Sequence, residues 1–119
     1  MSKYHILLVE DNTDLRGDFA ELFSLSGYEV TTAADGVEAW SELSQNKITI
    51  IVSDYDMPNM NGYELFQKIR AHDHLQTLPF IMVSGAHNPK FEGDDYFSFL
   101  RKPIQIERLL DKIAAMIAT

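Results

Sequence analysis

At 119 residues, 45% hydrophobic and 24% charged, the chain has the balance of one globular domain and is too short for a receptor joined to an effector, so a single domain over residues 1–119 is expected. A formal net charge of -8 repels phosphate backbones and anionic lipid headgroups, and no Lys/Arg run offsets it, which argues against direct nucleic-acid or membrane binding. With no cysteine there is no disulfide framework, thiolate nucleophile or zinc–cysteine site, and the apolar run 6–9 is too short for a signal peptide or membrane span, so a cytoplasmic protein is expected.

Residues 4–9 form a nearly continuous apolar run closing on Glu10 and Asp11, the pattern of a strand buried on both faces. Leu15, Phe19, Leu22 and Phe23 then recur at helical spacing, with Asn12, Thr13 and Asp14 as cap candidates and Gly27 as the stop. Val30, Thr31 and Thr32 make 28–33 a second strand, and Asp35-x-x-Glu38 reads as a capping box for a helix carrying Val37, Trp40 and Leu43. A third strand over 48–54 ends on Asp54. The loop Met57-Pro58-Asn59-Met60-Asn61-Gly62 breaks it, and Leu65, Phe66 and Ile69 stripe the following helix.

Residues 79–84 give a fourth strand. From 87 to 95 the helical signal is poor, with Pro89, Gly93 and almost no apolar face. Residues 96–100 read as a fifth strand leading into Arg101-Lys102-Pro103, and Ile106, Leu109, Leu110, Ile113 and Met116 mark a terminal amphipathic helix. Such alternation predicts an α/β protein with a doubly wound parallel sheet, right-handed crossovers and a ligand crevice at the carboxyl ends of the strands.

Glu10, Asp11, Asp54, Ser84 and Lys102 all fall at such strand ends. Taken singly, Glu10 and Asp11 read as a helix-capping pair, Lys102 as a solvated charge and Ser84 as a turn residue. Taken together, three close carboxylates repel one another and call for a divalent cation, and oxygen-only ligands select a hard ion such as Mg2+. Lys102 adds an ammonium and Ser84 a hydroxyl for phosphoryl oxygens, and Asp54 stands where a carboxylate can attack phosphorus to form an acyl phosphate. Phe19, Phe23, Trp40 and Phe66 read as core, and the four histidines, with no ligand-like spacing beyond His72 and His74, are assigned no role.

With an apolar strand ending in Glu10-Asp11, then Asp54-x-x-Met57-Pro58-x-Met60-x-Gly62, Ser84-Gly85 and Lys102-Pro103, the chain resembles the receiver domains of two-component response regulators from Ile6 to Met116. The resemblance implies a (βα)5 fold of flavodoxin-like order 2-1-3-4-5, with no output domain in this chain. It makes Asp54 the phosphoacceptor from a sensor histidine kinase or histidine phosphotransfer protein, in a reaction dependent on Mg2+ (or Mn2+). Asp11 and Asp54 would bind the ion through carboxylates, Asp56 through its backbone carbonyl and Glu10 through a water. Ser84 would follow the phosphoryl group, Lys102 would pair with it, and Lys102-Pro103 would be a cis peptide. The output would leave through the face of the fourth helix, fifth strand and fifth helix toward a downstream protein, as a monomer or a phosphorylation-dependent dimer. Tyr55 and Ala86, beside the site, would tune dephosphorylation or serve as loop filler.

From Ser84 to Lys102 is 102 - 84 = 18 positions, shorter than the family's interval by about one helical turn, roughly 3.6 residues, so the fourth helix is expected to be short or irregular. Counting back from Lys102 puts Phe99 at the switch-aromatic position, with Tyr96, after Asp94-Asp95, as the alternative; a Phe there has no hydroxyl to hydrogen-bond in an inward state. Two other functions compete. One is a haloacid-dehalogenase-type phosphatase using Asp54 and Asp56, although its second acidic motif would follow the lysine and its cap domain does not fit in this length. The other is a pseudo-receiver that docks partners without phosphorylation.

Overall fold

The computed structural model describes residues 4–85 and 91–118. Five strands, β1 (His5–Val9), β2 (Glu29–Ala33), β3 (Ile50–Asp54), β4 (Phe80–Ser84) and β5 (Phe97–Arg101), pair in parallel in the order β2-β1-β3-β4-β5. This is the expected doubly wound order, with strand ends shifted by one or two residues. Every residue of β3 and β4 is buried, as their continuous apolar runs require, whereas the edge strand β2 is only partly covered.

Side-chain alternation divides the core in two. Ile6, Leu8, Ile50, Val52, Ile81, Val83 and Leu100 face α1 (Thr13–Leu25) and α4 (Ile106–Ile117), where Phe23, Leu109 and Ile113 complete the layer. Leu7, Val9, Ile51, Phe80 and Met82 face α2 (Gly36–Gln45) and α3 (Gly62–Arg70), against Ala39, Leu65, Phe66 and Ile69. Each such fully buried side chain contributes roughly 1.5–3 kcal/mol of transfer free energy.

The helix starts are written in short-range hydrogen bonds. The Asn12 side chain accepts from the Leu15 N–H at 3.0 Å, and the helix it caps ends before Gly27, whose φ of +100° suits a residue without Cβ. Asp35 accepts from the Glu38 N–H at 2.8 Å and, through its other oxygen, from the Asn59 amide at 2.8 Å, but the return bond of the expected capping box, from the Asp35 N–H to the Glu38 carboxylate, does not form, and Glu38 is exposed. The reciprocal box occurs at α3, where Asn61 and Glu64 exchange bonds of 2.8 and 3.0 Å.

No helix lies between β4 and β5 among the described residues. Ala86 and residues 87–90 lie outside them; residues 91–96 run as an irregular strap. Aromatic packing holds it. Phe91 sits 5.0 Å from the Tyr55 ring, 5.1 Å from Tyr63 and 5.9 Å from Phe99, and Gly93 lies so close on the Phe97 ring that a Cβ would overlap it. The Tyr63 hydroxyl donates to the Glu92 carbonyl at 3.1 Å and accepts from its N–H at 3.2 Å, while Arg70 pairs with Asp94 at 2.6 Å. Helix α3 thus supplies the tethers for a segment whose Pro and Gly content disfavours a helix.

Tyr63→Phe is expected to cost about 1 kcal/mol in denaturant unfolding and to speed amide exchange at Glu92 while β1 keeps its protection. Unchanged exchange at Glu92 would show that packing alone holds the strap. Asp35→Ala is expected to cost about 1 kcal/mol near neutral pH. The Glu38 N–H, and then the Asn59 amide, hold the Asp35 carboxyl below its usual range. A depressed carboxyl contributes stability above its unfolded value and loses it as pH falls through the folded one, so wild type and variant should converge in urea titrations below about pH 4.

Candidate functional site

Three strands carry charge to one rim because their registers place it there. Leu8, Val52 and Leu100 belong to the core layer under α1 and α4, and two residues further along each strand direction stand Glu10, Asp54 and Lys102. Asp54 and Glu10 are each only 6% exposed. One carboxylate oxygen from each of Glu10, Asp11 and Asp54 can be chosen so that all lie within 4.8 Å of one another. Lys102, just past the end of β5, puts Nζ 2.9 Å from Asp54 Oδ1. The Lys102 N–H donates to the Ser84 carbonyl at 2.9 Å, and the Lys102–Pro103 peptide is cis.

The electrostatics are those of a crowded acid cluster. Burial raises the Asp54 pKa; the Lys102 ammonium opposes this and the Asp56 and Asp11 charges add to it. Burial likewise raises Glu10, against the Asn12 N–H that its Oε2 accepts at 3.1 Å. Burial alone would lower Lys102, but the Asp54 carboxylate outweighs it and the net shift is upward. The Lys102 Nζ approach to Asp54 Oδ1 is close but poorly aligned, so this buried oxygen has a charge beside it and no satisfying hydrogen bond. Oxygen ligands only, excess negative charge and an unsatisfied buried carboxylate oxygen are compatible with a hard divalent ion such as Mg2+.

The other expected site residues are distributed around this centre. Ser84 ends β4 and is buried, one strand over from Asp54. Asp56 lies exposed in the loop after β3, near enough for its charge to act on Asp54 and Lys102. Phe99 is half-buried in β5 against Phe91, while Tyr96 precedes the strand and is 40% exposed. Two supports escaped the sequence reading. Arg16 Nη1 donates to the Glu10 carbonyl at 2.8 Å. Gly62 donates its N–H to the Tyr55 carbonyl at 2.9 Å, and a Cβ there would stand 2.5 Å from the Asp54 carbonyl oxygen, so only glycine lets α3 begin against the back of the Asp54 peptide. Gly62 was visible in the motif; its contact was not.

Without a divalent ion, Glu10 and Asp54 hold protons more readily folded than unfolded, so stability should fall as pH rises through their raised values. Asp54→Asn is therefore expected to raise the melting temperature in chelator at neutral pH, since the partly exposed Lys102 can rehydrate, and to remove the increase that added Mg2+ is expected to produce in the wild type. A variant less stable than wild type in chelator would contradict this.

Comparison with known proteins agrees with the geometry. The sensor kinase/phosphatase CqsS of Vibrio cholerae is 33% identical over 117 residues, 94% of this chain and 17% of that protein. The sensor histidine kinase RcsC of Salmonella typhimurium is 48% identical over 113 residues, 92% of this chain and 12% of that protein, so the chain spans a small part of either relative. The solved structure of the chemotaxis response regulator CheY4 of Vibrio cholerae superposes with a TM-score of 0.86 at 31% identity, covering 95% of this chain and 98% of that one. A model of the response regulator receiver domain matches residues 6–114, and the chain belongs to that family of two-component signalling domains.

Proposed function

We propose that the chain is a phosphoacceptor switch in a two-component phosphorelay, in which a phosphohistidine of a sensor histidine kinase or histidine phosphotransfer protein gives its phosphoryl group to Asp54. The observation that carries this reading is the buried Asp54 carboxylate held 2.9 Å from Lys102 among the acids Glu10 and Asp11. Mg2+ (or Mn2+), held by Asp11, Asp54 and the Asp56 carbonyl with Glu10 acting through a water, would neutralise charge on the phosphoryl oxygens. An Asp54 oxygen forms the new bond to phosphorus as the bond to the histidine nitrogen breaks. Lys102 pairs with the group once it is attached, and the Ser84 hydroxyl follows it, drawing the end of β4 inward.

The switch then reads out through β5, where Phe99 packs on Phe91 and so links the rim to the strap; this favours Phe99 over the exposed Tyr96. The strap, β5 and α4 form the surface offered to a downstream protein, with the chain acting as a monomer or a phosphorylation-dependent dimer in the cytoplasm. Among the described residues, no helix is long and apolar enough to cross a membrane. The chemistry is self-modification, not turnover. Against a phosphatase using Asp54 and Asp56 stands the placement of the remaining acids before Asp54, at the end of β1. Against a pseudo-receiver stands the unrelieved cost of gathering three acids with no phosphoryl chemistry to use them.

Acetyl phosphate with Mg2+ should add one phosphoryl group by intact mass, lost in Asp54→Asn and in chelator, and slowed on the order of tenfold to a hundredfold in Lys102→Ala. A wild-type chain that stays unmodified yet binds its partner would support docking, and sustained hydrolysis of an aryl phosphate would support the phosphatase.

A further inference from the structure

Directly below the acid cluster, the packed layer between α1 and α4 gives way at its rim end to open space. A cavity of about 490 Å³ opens there, within the roughly 300–1,000 Å³ of small-molecule sites. Its floor is Leu8, Val52 and Val83 of the sheet, its walls Phe19 of α1 and Leu109 of α4, and Leu15, 40% exposed, stands at its edge. Polar groups enter it from the rim alone: Glu10, Asp54 and Lys102. The hole is therefore apolar in body and acidic at the mouth.

The mouth selects the occupant. An acid-headed amphiphile would bring its anion among carboxylates that already outnumber Lys102. A neutral one would leave Asp54 Oδ1, buried and without an aligned donor, as it is. An organic ammonium supplies both positive charge and N–H donors to Asp54 and Glu10, while its apolar body covers Leu8, Val52 and Leu109. Mg2+ answers the charge but, being strongly hydrated, makes no use of the apolar floor.

We propose that this cavity binds a small apolar organic cation, whose ammonium sits on Glu10 and Asp54 and excludes the divalent ion, so that occupancy keeps Asp54 from accepting a phosphoryl group. Its regulatory consequence rests on the reading of Asp54 as phosphoacceptor; the binding itself does not. The bound cation gives the domain a chemical input independent of its kinase.

Three probes with one apolar body and different heads test it: phenylbutylammonium, phenylbutanol and phenylbutyrate, titrated into the full chain by amide NMR without phosphodonor. The ammonium should bind about tenfold or more tightly than either of the others, with shifts at Leu8, Val52 and Leu109, and saturating Mg2+ should weaken it about tenfold. Leu15→Trp, filling the mouth from the exposed side of α1, should weaken the ammonium about tenfold while leaving Mg2+ affinity unchanged, and Ile104→Phe, in the loop between β5 and α4 that also lines the cavity, should do the same. Equal binding of the carboxylate, indifference to Mg2+, or indifference to both filling substitutions would overturn the proposal. Acetyl phosphate modification of the same sample without probe reads the phosphoacceptor function separately, so the two can fail independently.

Discussion

The ion pair between Asp54 and Lys102, 2.9 Å apart at the top of the sheet, is the contact on which the site depends. Neither residue reaches it by accident of loop conformation. Asp54 ends the fully buried β3 two residues beyond Val52, Lys102 follows the edge strand β5 two residues beyond Leu100, and Glu10 extends β1 from Leu8 in the same way. A one-residue slip of any of these strands would send its charge to the α2/α3 face and its apolar residues to the wrong core layer. The hydrophobic core therefore fixes the charge geometry, and the energy that aligns the acids comes from burying the strands beneath them.

That arrangement stores unfavourable electrostatics. Burial pushes both Glu10 and Asp54 upward, and one lysine does not balance three carboxylates. A site in this condition responds strongly to any cation placed in it, which is the property a phosphoryl-accepting switch needs: low affinity for its own negative charge until a metal permits it. The same imbalance, above an apolar cavity, gives organic cations a route to the same carboxylates.

Sequence patterning made the sheet and its rim legible because buried parallel strands read as continuous apolar runs, and Glu10, Asp11, Asp54 and Lys102 punctuate their ends. What it missed was contact across the chain. The reciprocal capping box expected at Asp35 is found at Asn61 and Glu64, while Asp35 caps its helix one way and accepts with its second oxygen from Asn59, 24 positions away. The strap from Phe91 to Tyr96 shows no periodicity because its order comes from rings and tethers on α3, through Tyr63 and Arg70, and not from a repeat along its own residues. Gly62 and Arg16 were in view as letters, but their roles against the Asp54 and Glu10 backbone exist only once the strand and helix meet.

The central claim is that Asp54 is a buried carboxylate held short of cationic charge until a divalent ion arrives. Carboxyl-carbon NMR titration of Asp54 and Glu10, with and without saturating Mg2+, tests it most directly. The account predicts that both titrate above the ordinary carboxylate range in chelator and move down when Mg2+ binds. Ordinary values in chelator that do not respond to Mg2+ would contradict it.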